Sequence, residues 1–395
     1  MHFDVLIVGG GMVGLTLARA LLDEKKGSQT LRIAIIEAEN FAPTPLSDLR
    51  VSALNRSAIE QLENWGLWTE TEFPDRAPYR HMDVWDQHSS GKLNFHASDL
   101  GQSFLGYIVK NQSVIQALLK DLSRCSTLTF FSLVEWTSLT RISNSYWEMK
   151  LSDGQQISGD FLVGADGAAS KVREFLKIEN HRTEYGQHAI VANIASEKPH
   201  RSTAYQRFLT EGPVAFLPLS SENLGSIVWT MSDQETERVM NLSETDFNHA
   251  LTKALENRLG DLSLQSPRIR FPLRHHHAKS YVIPGAFLVG DAAHGIHPLA
   301  GQGVNLGFHD VKVLSQILFE AECNHRPVLT FSNLKKYERQ AWCYNETIRQ
   351  SLTLINAVFS SPKNSALCVK IRGFGMNSIN RFDIVKNLFS QMAQG

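Results

Sequence analysis

FDVLIVGGGMVGLTLARALL, running from Phe3 to Leu22, reads as a strand, a glycine turn and a helix. Phe3 to Val8 is a short run of apolar β-formers, whereas Met12 to Leu22 has helical spacing and good helix formers. LRIAIIE, Leu31 to Glu37, supplies a second buried strand and closes a βαβ unit of the length that a parallel crossover requires. The expected class is α/β. Gly9, Gly11 and Gly14 have GxGxxG spacing between strand and helix, where small residues let backbone N–H groups and the positive helix end approach a pyrophosphate. Glu37 ends the second strand, in position to accept hydrogen bonds from a ribose hydroxyl pair. A glycine-rich turn without a ligand is the competing reading, and the fingerprint leaves NAD, NADP and FAD open.

Further along, FLVGADG (Phe161 to Gly167) ends an apolar strand with Asp166 and Gly167 ahead of a helix start. Taken singly, Asp166 or Ser170 also reads as a helix N-cap. A third such strand, AFLVGD (Ala286 to Asp291), leads into Ala292, Ala293 and His294, then Pro298, Gly301, Gln302, Gly303, Val304 and Asn305, and a long helix from Val304 to Glu320. The Asp291 carboxylate suits ribityl hydroxyls, and the start of that helix suits the negative charge of a reduced flavin. NAD has no such need.

Composition sets the bounds. A chain of 395 residues, 43% hydrophobic and 20% charged, is of ordinary globular make-up, with room for two to three domains. Its 39 Lys and Arg nearly balance 40 Asp and Glu, so no bulk positive field recruits nucleic acid. Cys125, Cys323, Cys343 and Cys368 form no CxxC pair, which argues against a zinc cluster or a disulfide framework and fits a reducing cytosol. The opening MHFDVLIVGGG is not read as a signal peptide, and no apolar run is long enough to span a bilayer. The expected place is the cytoplasm, with any membrane contact peripheral, on the inner face.

Taken in order, the three motifs resemble the flavin-dependent aromatic hydroxylases with the p-hydroxybenzoate hydroxylase fold. The resemblance implies that Arg50 lies along the FAD pyrophosphate and that Asn111, just before a helix, contacts the flavin. Within that group LRVSALNRSA (Leu49 to Ala58), LGYIVKN (Leu105 to Asn111) and HPLAGQGVNLGF (His297 to Phe308) are similar to the ubiquinone-biosynthesis hydroxylases. HMDVWD (His81 to Asp86), SETDFNHAL (Ser243 to Leu251) and ENRLG (Glu256 to Gly260) look most like their 2-polyprenylphenol 6-hydroxylase branch. Two positions depart from the family pattern: Lys110 stands in place of an acidic residue and Gly295 in place of threonine.

The implied architecture is a Rossmann-like FAD-binding domain carrying an inserted mixed-sheet (α+β) substrate domain and C-terminal helices. Residues 1–72, 105–180 and 271–333 are assigned to the discontinuous FAD domain, 73–104 and 181–270 to the substrate domain, and 334–395 to the helical region. The implied chemistry takes NAD(P)H as electron donor and O2 as co-substrate, and hydroxylates a 2-polyprenylphenol ortho to its phenol oxygen through a flavin C4a-hydroperoxide. Another ring position, on a polyprenyl-methoxyphenol or demethoxyubiquinol, stays open, as does a non-catalytic flavin scaffold in the biosynthetic complex. Phe216, Leu217, Pro218 and Trp229 are candidates for the substrate lining, with plain sheet-core packing as the competing reading. No base stands out; His294 and His297 are the candidates for direct chemistry. His275, His276 and His277 are consecutive on an extended segment, point to alternating faces and are not expected to hold a metal. The tail from Ser361 carries five basic residues against the single acid Asp383, and one apolar face of Ile384, Val385, Leu388, Phe389 and Met392. It reads either as a peripheral membrane contact or as packing on the protein body.

Overall fold

The computed structural model describes residues 1–23, 31–42, 49–295 and 303–359. Strand His2–Val8 lies inside a sheet because it is apolar on both faces, with Val5, Leu6 and Ile7 fully buried. Its parallel partners are Ile33–Glu37 on one side and Gln156–Gly164 on the other. Leu128–Ser132 extends the sheet beyond the second strand, and Ala286–Leu288 extends it beyond Gln156–Gly164. The register sets Leu288, Gly164, Val8 and Ile36 in one row, so four parallel strands end side by side. Ligands of open α/β sheets sit in the crevice beyond such carboxyl ends.

Helix Met12–Leu21 makes the first crossover and packs against helices Asn111–Leu122 and Gly303–Cys323. Val13 is the close contact: it fits against Gly290 and Gly307, where an added Cβ would come within 3.0 Å and 2.4 Å of its methyl groups. The long helix Phe331–Phe359 packs on Gly303–Cys323.

A second, larger sheet is built on the paired strands Asn180–Ser196 and Ile269–Ala278, with Thr203–Leu209, Gly212–Pro218, Leu224–Ser232 and the hairpin His81–Asp86 and Lys92–His96. Helices Asp233–Met240 and Glu244–Ala254, capped by Ser232 and Ser243, cover one face. The opposite face meets a three-stranded sheet of Val51–Leu54, Gly106–Lys110 and Ala77–Tyr79. The sequence boundaries at 180/181 and 270/271 thus fall inside two strands that pair with each other, and the two halves share this ribbon instead of meeting at those positions.

Several element ends are set by local geometry. Helix Arg56–Asn64 is capped by the Asn55 side chain and stops where Gly66 takes φ 73° and Leu67 N–H returns to the Leu62 carbonyl. The strand expected to reach Asp291 ends at Leu288, because Gly290 turns the chain with φ 58°. Helix Glu244–Ala254 stops ahead of left-handed Glu256 and Asn257. The basic tail lies outside the described residues. Among the described residues, no helix is long and apolar enough to cross a membrane.

Candidate functional site

The three motifs meet at the carboxyl edge of the parallel sheet. Gly9 N–H donates to the Ile36 carbonyl at 2.9 Å, Ala165 N–H to Val8 at 2.8 Å and Val289 N–H to Gly164 at 3.0 Å, so the loops leave adjacent strands in step. At the usual strand spacing, the row ends Ile36 and Leu288 stand about 14 Å apart across three intervals, and Glu37 and Asp291 follow them at either side of a span suited to an extended dinucleotide.

Each glycine of the first loop has a different reason. Gly9 has φ 108°, and a Cβ there would sit 2.3 Å from the Ala165 carbonyl oxygen. A Cβ on Gly14 would stand 2.0 Å from the Gly9 carbonyl. Gly11 has nothing within 4 Å of its missing Cβ: it faces open space at the N-cap of Met12–Leu21, whose first-turn N–H groups have no partner within the helix. That space is the cradle a diphosphate needs. Glu37 accepts Gly10 N–H at 2.6 Å and Glu39 N–H at 2.8 Å, so it shapes the loop and keeps two lone-pair directions for a ligand hydroxyl.

Asp166 behaves differently. Its carboxylate accepts Ser170 Oγ at 2.5 Å and Val172 N–H at 3.0 Å, and Ser170 in turn caps Arg173 N–H at 2.9 Å. Both oxygens therefore serve the start of helix Lys171–Phe175, which is the capping reading of this motif. Gly167, with φ 78°, has nothing within 4 Å of its Cβ position.

The third loop is fastened group by group. Gly290 N–H donates to Asp310 Oδ2 at 2.9 Å, and the Gly290 carbonyl accepts Ala293 N–H at 2.8 Å. The Asp291 carbonyl meets His276 Nε2 at 2.8 Å, the Ala292 carbonyl accepts Arg173 Nη1 at 2.6 Å, and the Ala293 carbonyl accepts Ala278 N–H at 2.8 Å. The Asp291 carboxylate itself is exposed, yet enough protein surrounds it to raise its pKa by desolvation; Arg50 and His294 act against that rise. An exposed, desolvated carboxylate on a fixed loop lies in a recess and suits a hydroxyl-bearing ligand.

Arg50 is exposed, with its guanidinium 5.3 Å from the Phe271 ring. Asn111 N–H bonds to its carbonyl at 2.9 Å, and the Asn111 amide oxygen accepts Ser52 Oγ at 2.7 Å. Lys110 pairs with Asp75 at 3.3 Å. Asn305 is spent on the protein: its side chain bonds Ala53 carbonyl at 2.8 Å and Asn55 N–H at 3.1 Å, leaving its main chain in the first turn of Gly303–Cys323 to face the recess. Gly303 and Val304 open that helix, whereas His297, Pro298, Gly301 and Gln302 fall outside the described residues.

The proposed lining residues divide. Phe216 and Trp229 sit in the core under the two covering helices, with Phe247 and Leu251, so sheet packing accounts for both. Leu217, one residue on, faces the other way and clusters with Tyr79, Ile108, Ala53 and Ala204 against the three-stranded sheet. Pro218 is buried opposite Gly225 at the end of its strand. His294 is 3% exposed with Nε2 held by Asp310 at 2.6 Å, which leaves that nitrogen no reach toward a substrate. His276 and His277 also have protein partners, the Asp291 carbonyl for the first and Glu346 and Tyr281 for the second. Arg173, Asp310, Tyr281 and Asn345 were not singled out in the sequence; the one cue is the helical spacing that places Asp310 seven residues into the third motif's helix.

The sequence profile of the FAD-binding-domain family matches residues 2–341. The chain belongs to that family. It is 33% identical to the ubiquinone biosynthesis monooxygenase COQ6 of Drosophila melanogaster, covering 100% of this chain and 90% of that protein. It is 32% identical to the 3-demethoxyubiquinol 3-hydroxylase of Escherichia coli K12, covering 99% and 98%. Among solved structures, the fold matches PqsL, a probable FAD-dependent monooxygenase from Pseudomonas aeruginosa, with TM-score 0.77 at 20% identity over 96% of this chain and 100% of that one. It also matches p-nitrophenol 4-monooxygenase PnpA from Pseudomonas putida, with TM-score 0.79 at 15% identity over 100% and 99%. The protein is thus a FAD-dependent monooxygenase of the ubiquinone-biosynthesis group. Its open glycine cradle and exposed Asp291 carboxylate fit that cofactor.

Proposed function

We propose that the protein hydroxylates a polyprenylated phenol of ubiquinone biosynthesis, at the ring carbon ortho to the phenol oxygen of a 2-polyprenylphenol. The observation that carries this reading is near-full-length similarity to ubiquinone-biosynthesis monooxygenases. When bound, FAD would supply the oxygen chemistry, in which NAD(P)H gives two electrons, one atom of O2 enters the phenol ring and the other leaves as water. The chain's own residues have three tasks. Gly9 to Gly14 and the first turn of Met12–Leu21 hold the diphosphate, with Glu37 on the ribose and Arg50 as counter-charge. Asp291 holds the ribityl hydroxyls, and the start of Gly303–Cys323 stabilises negative charge on the ring. The apolar cluster of Leu217, Ala204, Tyr79 and Ile108 packs the two sheets together, and we place the phenol ring beside it, where apolar surroundings exclude water.

No base is required of His294. The phenol oxygen already enriches the ring carbon that accepts oxygen. The polyprenyl chain argues for a substrate drawn from a membrane, and we extend the proposal to a peripheral contact and to membership in a biosynthetic assembly. The 32% identity to a 3-demethoxyubiquinol 3-hydroxylase favours a second reading, oxidation of a more substituted ring. The test incubates the FAD-loaded protein with NAD(P)H, O2 and short-chain analogues of both rings, and follows product mass. A gain of one oxygen on the 2-polyprenylphenol supports the first reading; a gain confined to the demethoxyubiquinol overturns it in favour of the second.

A further inference from the structure

Asp310, on helix Gly303–Cys323, is fully buried and touches no surface of the recess. Three donors from two segments, the third loop and helix Phe331–Phe359, converge on it: Gly290 N–H at 2.9 Å and His294 Nε2 at 2.6 Å on Oδ2, and Asn345 Nδ2 at 2.9 Å on Oδ1. Asn345 is 1% exposed and belongs to helix Phe331–Phe359, which also sends the Tyr337 hydroxyl to the Leu288 carbonyl at 2.9 Å. Leu288 and Gly290 bracket the turn that presents Asp291. A buried carboxylate is kept where hydrogen bonds offset the hydration it loses, and three donors do so here. The same carboxylate therefore fixes both the left-handed Gly290 turn and the helix on its far side.

We propose that Asp310 is a positioning residue for the Gly290–Asp291 loop, held in place by His294 and Asn345, so that helix Phe331–Phe359 governs flavin affinity without touching the cofactor. The inference rests on the third loop being part of the FAD site. His294 acts through Asp310, as the partner that neutralises it. Glu346, the residue after Asn345, supplies the contrast: it bonds His277 at 2.7 Å and pairs with Arg349, and its link to Asp310 is indirect, through His277, the Tyr281 hydroxyl at 2.6 Å and Asn345 at 3.3 Å.

The test titrates apoprotein with FAD, reading flavin fluorescence, and measures thermal unfolding of the apoprotein and the midpoint potential of the bound flavin. Asp310→Asn, which sets an amide against donors, is expected to weaken FAD binding by about tenfold or more, and Asn345→Leu and His294→Gln by a few-fold to tenfold. The potential shifts with each. Glu346→Gln lowers the unfolding temperature but leaves FAD affinity and potential at their wild-type values. Should Asp310→Asn not fold, Asn345→Leu and His294→Gln carry the test. Unchanged affinity in these two, or an equal loss in Glu346→Gln, overturns the proposal. Failure of the wild-type protein to bind FAD would instead sink the cofactor-site reading on which it rests.

Discussion

Arg173 donates to the Ala292 carbonyl at 2.6 Å while its other nitrogen reaches the Ala168 carbonyl at 2.9 Å. One buried guanidinium, 2% exposed, thereby ties the second loop to the third. Arg173→Met keeps the apolar stem and strands two carbonyls; we expect a loss of about 2–4 kcal/mol in denaturant unfolding of the apoprotein. FAD affinity falls with it.

The glycines separate packing from binding. Gly14→Ala drives a methyl into the Gly9 carbonyl at 2.0 Å and is expected to lower both the apoprotein melting temperature and FAD content. Gly11→Ala meets nothing within 4 Å. It should leave apoprotein stability within about 0.5 kcal/mol, as for surface changes, and weaken FAD binding through the methyl alone. Parallel melting and FAD titration of the two variants checks this.

Asp166 and Asp291 are both motif carboxylates with opposite expected behaviour. Asp166→Ala removes two hydrogen bonds at the start of Lys171–Phe175 and should cost about 1–2 kcal/mol of apoprotein stability. Asp291→Asn removes a desolvated charge and should leave the apoprotein as stable or more so, while FAD binding weakens by about tenfold or more. Equal destabilisation by both would contradict the recess assignment of Asp291.

The histidines give stability a pH profile. Burial alone would lower the His294 pKa, but Asp310 and Asp291 more than reverse this and raise it above 6.5. The folded form thus binds this proton more tightly, and its contribution is complete below the unfolded value and lost as pH rises through the folded one. His277 runs the other way: burial lowers it to about 4, so its contribution is lost as pH falls from about 6.5 toward that value. Glu346, lowered to about 2 chiefly by its bond from Arg349, adds to the acid-side loss. Melting temperature should decline on both sides of neutrality, and His294→Gln should flatten the alkaline side only.

Much of this was legible because the parallel sheet announces itself: strands such as Leu6-Ile7-Val8 and Ile33 to Ile36 are apolar on both faces, and the first of them ends in turn glycines. Alternation, in contrast, gives two faces without saying which partner each meets, so the sequence alone does not separate Phe216 from Leu217, which point to different layers. The three-stranded sheet was hidden by its short strands, three to five residues each. Arg173 and Asp310 were invisible for a different reason. Their partners lie 119 and 20 residues away, and nothing in a charged residue on a helix tells that it is turned inward.

Strand Ile269–Ala278 begins beside Arg50, at Phe271, and ends by holding the Asp291 carbonyl through His276. A change in the twist of the large sheet is therefore delivered directly to the third loop. Any hybrid that borrows the sheet of a relative to alter its choice of phenol must bring this strand along, together with His294 and Gly295 that pair with it. A graft cut at residue 270 would sever one continuous lever, and its new pocket would come with a misplaced flavin.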